Sequence, residues 1–505
     1  MSQKVLLAVN GTLMRGLELE NNLVEAGATF VKESKTEKAY RLYSIKDKYP
    51  AMVKGKKGKD IAVEVYEISE EGMKQVLSKE PEGLTIDKIR LITGEEVYGV
   101  IGNEDIIKGQ KDITSFKGWR KYIDSLRPIK KAMPLIIKGS IIVTLLLVLL
   151  ILSLLKNNQD IAEGMSRTVS RYYVGAVSGI SNIFPFVSLM ELFFIALIGG
   201  VITLLVFLII DLFKKRFLKA GCRFLNIAIM AISVIDVYHL SCEAAYNRKS
   251  IPLPYSEVLP ERTEYIDIFN YFATDLNTCI DSLEFSTSGD VKNNRSLGDI
   301  AKEVKKAYKI IEGNSYYSPH LGAVKPMMSS FLYREFQITG YTFSPSGEAN
   351  IDVLIPVGDL PFTVAHELAH TIGVMREDEA NQLAFYVCLN SEDPFLRFSA
   401  YNRYFYMIRT LGSGTYLTEE ERAQLVSING AFSKFSSFEN KFWKEHDLLA
   451  KIGDFFNSLY IKSSGVPEGT TSYGGGTTYV YDPTEHRLTQ PSKYHQLFFE
   501  KYYRS

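Results

Sequence analysis

The chain has 505 residues, which is more than one ordinary domain accommodates, so we expect two or three folded units. Its 58 basic and 58 acidic residues cancel, and this balance gives no reason to expect nucleic acid as a partner. The four cysteines form no CxxC pair, which argues against a disulfide scaffold and against a zinc ribbon.

Residues 1–125 predict a small soluble domain with a mixed sheet and one or two helices. The segment KVLLAV predicts a buried strand, NGTL a turn, and LELENNLVEAG a helix that Gly27 ends. Four further segments separated by turn residues predict strands, namely KAYRLYSI, IAVEVYEI, IDKIRLI and EVYGVIG.

The order of these segments resembles the gamma-glutamylcyclotransferase-like fold, and the resemblance is closer to the C-terminal domain of allophanate hydrolases. The resembling segments are VNGTL at Val9–Leu13, AGATFV at Ala26–Val31, YRLY at Tyr40–Tyr43, EPEGLTIDKIRL at Glu80–Leu91 and ITSFKGWRKYI at Ile113–Ile123. The resemblance implies an α+β fold whose glycine turn offers backbone N–H groups to a small molecule.

That turn comprises Asn10, Gly11, Thr12 and Leu13. Asn10 stands where the cyclotransferases have a tyrosine, and Glu82 is only a loose counterpart of their general base. We therefore favour a ligand-binding or regulatory role for this domain over cyclotransferase catalysis, with a purely structural role as a further alternative.

Three apolar runs in the middle of the chain predict membrane spans at 134–155, 184–213 and 224–242. The first two are long enough to cross ~30 Å of hydrocarbon. The third is weaker because it contains Asp236 and His239, and a buried helix of a globular domain is the alternative for it.

Basic residues flank these runs unequally. Before the first run and between the second and third lie Lys117, Arg120, Lys121, Arg127, Lys130, Lys131, Lys214, Lys215, Arg216, Lys219 and Arg223. The longer loop between the first two runs has only Lys156, Arg167 and Arg171. The positive-inside rule predicts a cell-membrane protein with a cytoplasmic N-terminal domain and an extracellular C-terminal region, provided that the third run crosses.

The segment PFTVAHELAHTIGVMREDEAN, at Pro361–Asn381, predicts a zinc site in the domain at 250–505. Asp359 is a good N-cap for a helix over this segment, and Pro361 suits its first turn. His366 and His370 are four residues apart, so on a helix both point the same way and can bind one Zn²⁺. Glu367 lies one step round, where it can act as a general base without binding the metal. The alternative is a solvated helix that happens to carry two histidines.

Gly373 can end this helix soon after His370, so that the chain turns back and REDEAN opens a new helix. The spacing of Glu377 and Asn381 resembles the gluzincin pattern, in which a ligand Glu is followed four residues later by Asp. We therefore predict Glu377 as the third ligand, with Asn381 orienting a ligand and Glu379 as the rival ligand.

The upstream segment GEANIDVLIP, at Gly347–Pro356, predicts a strand. In zinc peptidases of this type the strand before the zinc helix commonly pairs with an extended substrate. The region 134–480 also resembles a bacterial domain-of-unknown-function family of three-span membrane proteins with a zinc-peptidase-like domain. The resembling segments are FPFVSLMEL, AYNRKSIP, KPMMSSFL, GYTFSPSGEANIDVLIP, LPFTVAHELAH, REDEAN and SYGGGTTYVYD.

A peptidase also needs a donor for the oxyanion that forms during hydrolysis. Tyr473 is our preferred candidate because the resembling segment SYGGGTTYVYD contains it, and Tyr401, Tyr404 and Tyr406 are alternatives. The remaining C-terminal segments predict a mainly helical domain with a small sheet. TEEERAQLVSINGAF and FENKFWKEHDLLAKIGDFFNSLYIKSS each predict one amphipathic helix.

The leading hypothesis is a membrane-anchored zinc metallopeptidase that hydrolyses peptide bonds through a metal-activated water. Its expected cofactor is Zn²⁺, and its expected partners are a peptide or protein substrate, the lipid bilayer and a small-molecule ligand of the N-terminal domain. Two alternatives stay open. One is a transmembrane sensor that uses the zinc domain for regulation, and the other is an enzyme whose N-terminal domain processes gamma-glutamyl or urea-derived amides.

Overall fold

The computed structural model describes residues 4–504, without the side chains of residues 127–131. The outermost residues of the predicted domains 1–125 and 250–505 therefore lie outside the described residues, as do the side chains of Arg127, Lys130 and Lys131. The chain divides into two compact units, Met1–Ile137 and Lys138–Ser505.

The first unit is an α+β domain, as its alternating strand segments predict. Its elements are β1 (Lys4–Val9), α1 (Glu20–Glu25), β2 (Thr29–Lys35), β3 (Tyr40–Ile45), β4 (Tyr49–Lys54), β5 (Ala62–Ser69), α2 (Glu70–Ser78), β6 (Leu84–Arg90), β7 (Glu96–Gly102) and β8 (Lys111–Asp112). Gly27 follows α1 with a φ of 73°, a left-handed conformation that suits glycine at a helix end.

Five strands form one sheet in the order β2-β5-β1-β7-β6, and a second sheet has the order β4-β3-β8. Within the larger sheet, β1 and β7 pair in parallel, and the other described pairs are antiparallel. The sequence patterns did not predict β2 or β4 as separate strands. β2 lies at the edge of its sheet, where charged side chains such as Lys32 and Glu33 are tolerated and weaken the apolar signal of a strand.

The helices of the apolar middle region are α3 (Trp119–Leu155), α4 (Gln159–Met165), α5 (Arg171–Ser181), α6 (Leu189–Phe213) and α7 (Phe217–Ser241). In the described part of the chain, α3 (from Ala132), α6 and α7 are long and apolar enough to cross a membrane. α7 begins seven residues before the third predicted apolar run and has 25 residues in all. α6 starts later than predicted because Ser188 caps it, its hydroxyl accepting from the Glu191 N–H at 3.1 Å.

The C-terminal part is mostly helical, as predicted, with a small sheet. Its elements are α8 (Tyr265–Asp281), β9 (Glu284–Phe285), β10 (Val291–Lys292), α9 (Leu297–Ala307), β11 (Ala323–Pro326), α10 (Ser330–Tyr333), β12 (Gly340–Phe343), β13 (Glu348–Ile351), α11 (Leu360–Thr371), α12 (Glu377–Leu389), α13 (Pro394–Arg409), α14 (Glu419–Arg422), α15 (Gly430–Glu445), α16 (Ala450–Ser463), β14 (Val480–Asp482), β15 (Arg487–Gln490) and α17 (Lys493–Arg504).

The small sheet places the candidate metal site. Its order is β11-β13-β12, with β11 parallel and β12 antiparallel to β13. The strand predicted before the zinc helix is therefore the central one, and β12 is the edge strand beside the helix. Every residue of α11 is buried, which explains why the segment is almost continuously apolar apart from its site residues.

Buried polar side chains join α6 to this sheet. The Glu348 carboxylate accepts hydrogen bonds from the backbone N–H groups of Leu189 and Met190, at 3.1 and 2.9 Å, and from the Ser181 hydroxyl at 2.6 Å. A carboxylate at a helix N-terminus satisfies N–H groups that have no partner inside the helix.

Lys325 completes this buried cluster. Its ammonium lies 3.8 Å from the Glu348 carboxylate and donates to the carbonyls of Ser181, at 2.8 Å, Val187, at 3.3 Å, and Phe184. The side chains of Lys325 and Glu348 are 1% and 0% exposed, so each charge depends on the other and on its hydrogen bonds.

Replacing Lys325 by Met should strongly destabilise the protein. The change leaves the Glu348 charge unpaired and removes the donor from three carbonyls, and breaking such a buried pair costs about 3–5 kcal/mol. Thermal unfolding of the full chain in detergent, followed by circular dichroism, checks this. The control is Lys306→Met, which breaks an exposed 3.2 Å pair with Glu392 and should cost less than about 1 kcal/mol. Equal melting temperatures for the two variants would refute the stabilising role of the cluster.

Candidate metal centre

The helix that carries the two histidines begins at Leu360, with Pro361 in its first turn as predicted. Asp359 occupies the N-cap position, but its carboxylate makes no capping hydrogen bond. Instead it accepts from the Asn402 amide at 3.0 Å, so a tertiary contact replaces the expected cap. The helix is held by burial of its surface rather than by this cap.

Three predicted ligand side chains converge at one point. The Nε2 atoms of His366 and His370 lie 3.1 Å apart, and the Glu377 carboxylate lies 3.1 Å from the first and 3.5 Å from the second. In the described residues these three form the group of His, Cys, Asp or Glu side chains that could hold a metal ion. All three residues are less than a tenth exposed.

A sharp turn after α11 brings Glu377 to the histidines. Gly373 has a φ of 93°, and the Val374 N–H donates back to the Ala369 carbonyl at 3.1 Å. This glycine turn is the predicted one, and α12 then opens with Glu377 as its first residue. His370 Nδ1 lies 2.7 Å from the Val374 carbonyl, so it carries the proton and leaves Nε2 free to bind a metal.

The donor set fits zinc. Tetrahedral ligands at about 2.0–2.1 Å from a metal are about 3.3 Å from one another, which matches the separations of these three atoms. Two imidazole nitrogens and one carboxylate are also the ligands of many catalytic zinc sites, in which the fourth position is left for water or substrate. The fit concerns the ligand atoms of His366, His370 and Glu377 only.

The electrostatics of the site favour a positive charge at its centre. Burial by itself raises the pKa of the Glu377 carboxyl, but the facing imidazoles outweigh this and hold it at about 2. Burial lowers the pKa of His370, but the charge of Glu377 outweighs it and raises the value to about 9. The centre of the group therefore attracts a cation.

Glu367 lies beside this group and does not join it. Its carboxylate Oε2 is 2.7 Å from the Thr342 hydroxyl, and burial raises its pKa above the ordinary value. Gly340 lies directly opposite, where an added Cβ would come within 2.6 Å of Glu367 Oε1. Thr342 and Gly340 therefore shape the position of the predicted base. Their residue types carry no sequence signal of this role, although Gly340 and Thr342 are two residues apart and so lie on the same side of β12.

The rival ligand Glu379 points elsewhere. It is buried near Arg376, it accepts a hydrogen bond from the Ile251 backbone, and burial raises its pKa to about 7. Asn381 was expected to orient a ligand, but its amide donates to the Tyr473 carbonyl at 3.2 Å. Asn381 thus holds the glycine-rich loop over the site.

A cleft with a volume of about 850 Å³ opens onto the three ligands, and Tyr473 lines it. The Tyr473 ring stacks on His366 at 6.3 Å between centroids, and its hydroxyl accepts from the Asn457 amide at 3.3 Å. Burial raises its pKa well above the ordinary value, so it keeps its proton. The alternatives lie away from the cleft: Tyr401 bonds to Asp275 at 2.6 Å, Tyr404 stacks on Tyr494, and Tyr406 is exposed.

A buried ion pair that sequence analysis did not identify holds the turn after α11. Arg248 donates to the Gly373 carbonyl at 3.0 Å and to both carboxylate oxygens of Glu163, at 3.0 and 2.9 Å. Burial raises the pKa of the Glu163 carboxyl, but Arg248 and Arg167 outweigh this and bring it to about 2. The segment between the first two membrane helices therefore supports the position of Glu377.

The predicted ligand-binding turn of the N-terminal domain is buried. Asn10 donates to the Val100 carbonyl at 3.1 Å, and Leu13 packs in the core. Gly11 is required, since an added Cβ would lie 2.6 Å from the Pro50 ring. Thr12 is likewise buried at this turn.

Glu82, the loose candidate for a base in this domain, is exposed. Glu80 is the inward carboxylate: its Oε1 is buried with no hydrogen-bond partner in the described part of the chain, and burial raises its pKa. Burial and the Glu80 charge also raise the pKa of Tyr49, next to Pro50. The segment EPEG contains both glutamates, and local sequence does not distinguish them.

Comparison with known proteins places most of the chain in one family. Residues 165–481 match the family described as "Protein of unknown function (DUF3810)", and this range covers more than half of the chain. The chain belongs to this family. The predicted resemblance to a family of unknown function is thereby confirmed. The family description names no activity, so the zinc-peptidase part of the resemblance stays a prediction.

Residues 5–124 match the family described as "Allophanate hydrolase C-terminal domain", which confirms the predicted resemblance of this domain. Urea amidolyase of Lachancea kluyveri is 36% identical over 131 residues, and that of Saccharomyces cerevisiae is 33% identical over 134 residues. These matches cover 24% and 25% of this chain, and the chain spans 7% of the length of each relative.

A solved structure of a uropathogenic E. coli-specific protein is 44% identical, covering 24% of this chain and 97% of that one, with a TM-score of 0.24. Allophanate hydrolase of Kluyveromyces lactis is 30% identical, covering 25% of this chain and 22% of that one, also with a TM-score of 0.24.

Replacing Glu377 by Gln should abolish tight zinc binding, while Glu379→Gln should keep it. The Gln amide removes the anionic ligand from the histidine pair, and Glu379 points away from it. Zinc per chain, measured by inductively coupled plasma mass spectrometry on purified full-length protein, checks this. About one zinc per chain is expected for the unaltered protein and for Glu379→Gln. Loss of zinc in Glu379→Gln alone would reverse the ligand assignment.

Proposed function

We propose that the chain is a membrane-anchored, zinc-dependent metallopeptidase with a ligand-binding or regulatory N-terminal domain. One observation carries this proposal: the ligand atoms of His366, His370 and Glu377 converge beside a buried Glu367 at the wall of an open cleft. A solvated helix with two histidines would have no reason to bring a buried carboxylate from the next helix to the same point.

A zinc ion bound there would polarise the peptide carbonyl and acidify water. Glu367 accepts the proton of the attacking water and passes it to the leaving amine. Thr342 keeps the Glu367 carboxylate in place, and burial raises its pKa, which makes it a stronger base than an exposed glutamate.

The edge strand β12 supports binding of an extended peptide. Among the described strands it pairs with β13 on one side only, and residues Thr339 to Thr342 line the cleft. A peptide that adds as a further strand bonds to the β12 backbone and lies along the row of site residues. The predicted strand GEANIDVLIP contains the central strand instead, so substrate pairing is assigned to β12.

Tyr473 supplies the further donor that amide hydrolysis needs. It lines the same cleft. Burial is the main cause of its raised pKa, and the nearby charge of the Glu377 carboxylate is the next. A tyrosine that keeps its proton donates a hydrogen bond to the oxyanion as negative charge develops there.

The flanking charges support the orientation of the chain. The basic residues before α3 and between α6 and α7 favour a cytoplasmic N-terminal domain and an extracellular catalytic domain. The match to the allophanate hydrolase C-terminal domain supports a small-molecule ligand for the N-terminal domain, with Glu80 as the inward acid.

Glu367→Gln should lower peptidase activity by about 10³-fold while zinc content stays unchanged, because the amide cannot accept a proton. Hydrolysis of fluorescein-labelled casein by the full chain in detergent, with zinc measured on the same sample, checks this. Glu379→Gln is the matched control and should keep activity. A Glu367→Gln protein with full zinc and full activity would exclude this base.

Tyr473→Phe should lower kcat by about 10²-fold with a small change in KM, since the hydroxyl acts on the oxyanion and not on the bound peptide. The same casein assay over a range of substrate concentrations separates the two constants. Tyr406→Phe, at an exposed tyrosine outside the cleft, should leave both unchanged. A Tyr473 effect confined to KM would assign the residue to substrate binding instead.

A further inference from the structure

α16 presents an apolar face to its surroundings. Ile452, Phe455, Phe456 and Leu459 recur at the spacing of one helix face and are 47%, 63%, 62% and 56% exposed. Leu448 precedes the helix and is 81% exposed. A folded domain rarely leaves so continuous an apolar surface in water.

A second group of exposed apolar side chains belongs to the segment around α10, which lies next to the first turn of α6. Met328, Phe331 and Leu332 are 48%, 65% and 43% exposed. Their segment is fixed to the first turn of α6, because the Glu191 carboxylate accepts from the N–H groups of Met328, at 2.6 Å, and Ser329, at 2.8 Å. These side chains therefore lie beside the first turn of α6.

The two groups belong to one surface. The Leu449 N–H donates to the Glu335 carbonyl at 3.1 Å, and Gly453 packs so closely on the Phe336 carbonyl that an added Cβ would lie 2.5 Å from its oxygen. The segment after α10 thus rests on α16. We call Ile452, Phe455, Phe456, Leu459, Met328, Phe331 and Leu332 the apolar collar.

The length of α6 indicates how deep in the membrane the apolar collar lies. Glu191 and Asp211 delimit the uncharged residues Leu192–Ile210, which span about 28 Å as a helix, close to the ~30 Å of membrane hydrocarbon. The hydrocarbon boundary therefore falls near Glu191, to which the Met328 segment is bonded. Phe194, one turn along α6, lines the cleft together with Phe456.

We propose that the apolar collar lies in the membrane interface, so that the metal-site cleft opens at the lipid surface. The collar adjoins the first turn of α6, whose apolar side chains are largely exposed, and a bilayer is the apolar partner that this helix already requires. The peptide that enters such a cleft is held at the membrane: it is a segment next to the lipid or transmembrane anchor of another protein. This substrate class rests on the proposed peptidase function, whereas the seating of the collar does not.

Measurements of membrane depth test whether the apolar collar lies in the membrane interface, and they do not depend on peptidase activity. Nitroxide labels are placed at Phe455→Cys, Leu459→Cys and, as control, Glu485→Cys in an exposed turn outside the collar, each in the full chain with Cys222→Ser. In phosphatidylcholine proteoliposomes, labels at 455 and 459 should be relaxed more by oxygen than by a water-soluble nickel complex, and the label at 485 the reverse. Water-like relaxation at 455 and 459 would overturn the seating.

Two forms of one substrate test the substrate class. Casein peptides, free or coupled to phosphatidylethanolamine, are offered to the same proteoliposomes. The coupled form should be cleaved with an apparent kcat/KM about tenfold higher, because the membrane raises its effective concentration at the cleft. Phe455→Ser/Leu459→Ser should remove most of this preference, and Lys451→Ser/Lys462→Ser, on the same helix, should retain it.

The outcomes separate the two proposals. Equal cleavage of both forms would overturn the membrane-held substrate and leave the peptidase intact. A preference that persists in Phe455→Ser/Leu459→Ser would overturn the role of the collar. Cleavage of neither form would overturn the proposed peptidase, while the nitroxide depths would still decide the seating.

Discussion

The C-terminal unit depends on a buried carboxylate at the start of a membrane helix. Glu348 lies on the central strand β13 and accepts the backbone N–H groups that begin α6, with Lys325 beside it. Two buried charges are tolerable only where every oxygen and proton finds a partner, and the end of α5, the loop after it and the first turn of α6 supply those partners. The sheet is therefore fixed to the membrane helix. β12, which shapes the position of Glu367, is held by the same sheet.

A rigid link of this kind has a consequence for chemistry. A general base and a metal must keep their separation to within a fraction of an ångström, which a domain on a flexible tether could also achieve. A tether would not, however, keep the cleft at one depth relative to the bilayer. Glu191 bonds to the Met328 segment, and Phe194 lines the cleft, so membrane helix and cleft form a single packed structure. The membrane helix and the candidate site therefore belong to the same folded unit.

Local sequence predicted the ligands because each step depends on near neighbours. Four residues of helix bring His366 and His370 to one side, and a left-handed Gly373 reverses the chain within a few residues. Longer-range contacts defeated other expectations. Asp359 bonds to Asn402 instead of capping its helix. The predicted helix through HDLLAK divides into α15 and α16, where Glu335 accepts from Leu449 N–H and its carboxylate contacts His446 at 2.7 Å.

By itself, the sequence determined the order of the units, three apolar segments of membrane length, the two resemblances and the histidine pair with Glu367 beside it. These follow from composition, helical period and turn residues, which act over a few positions. Only the tertiary structure decided between Glu377 and Glu379, turned Glu80 rather than Glu82 inward, made β12 the edge strand and brought Arg248 to the Gly373 turn. Each of these depends on which side chain meets a partner far away in the chain, and burial makes that choice because an unpaired polar group inside the protein is costly.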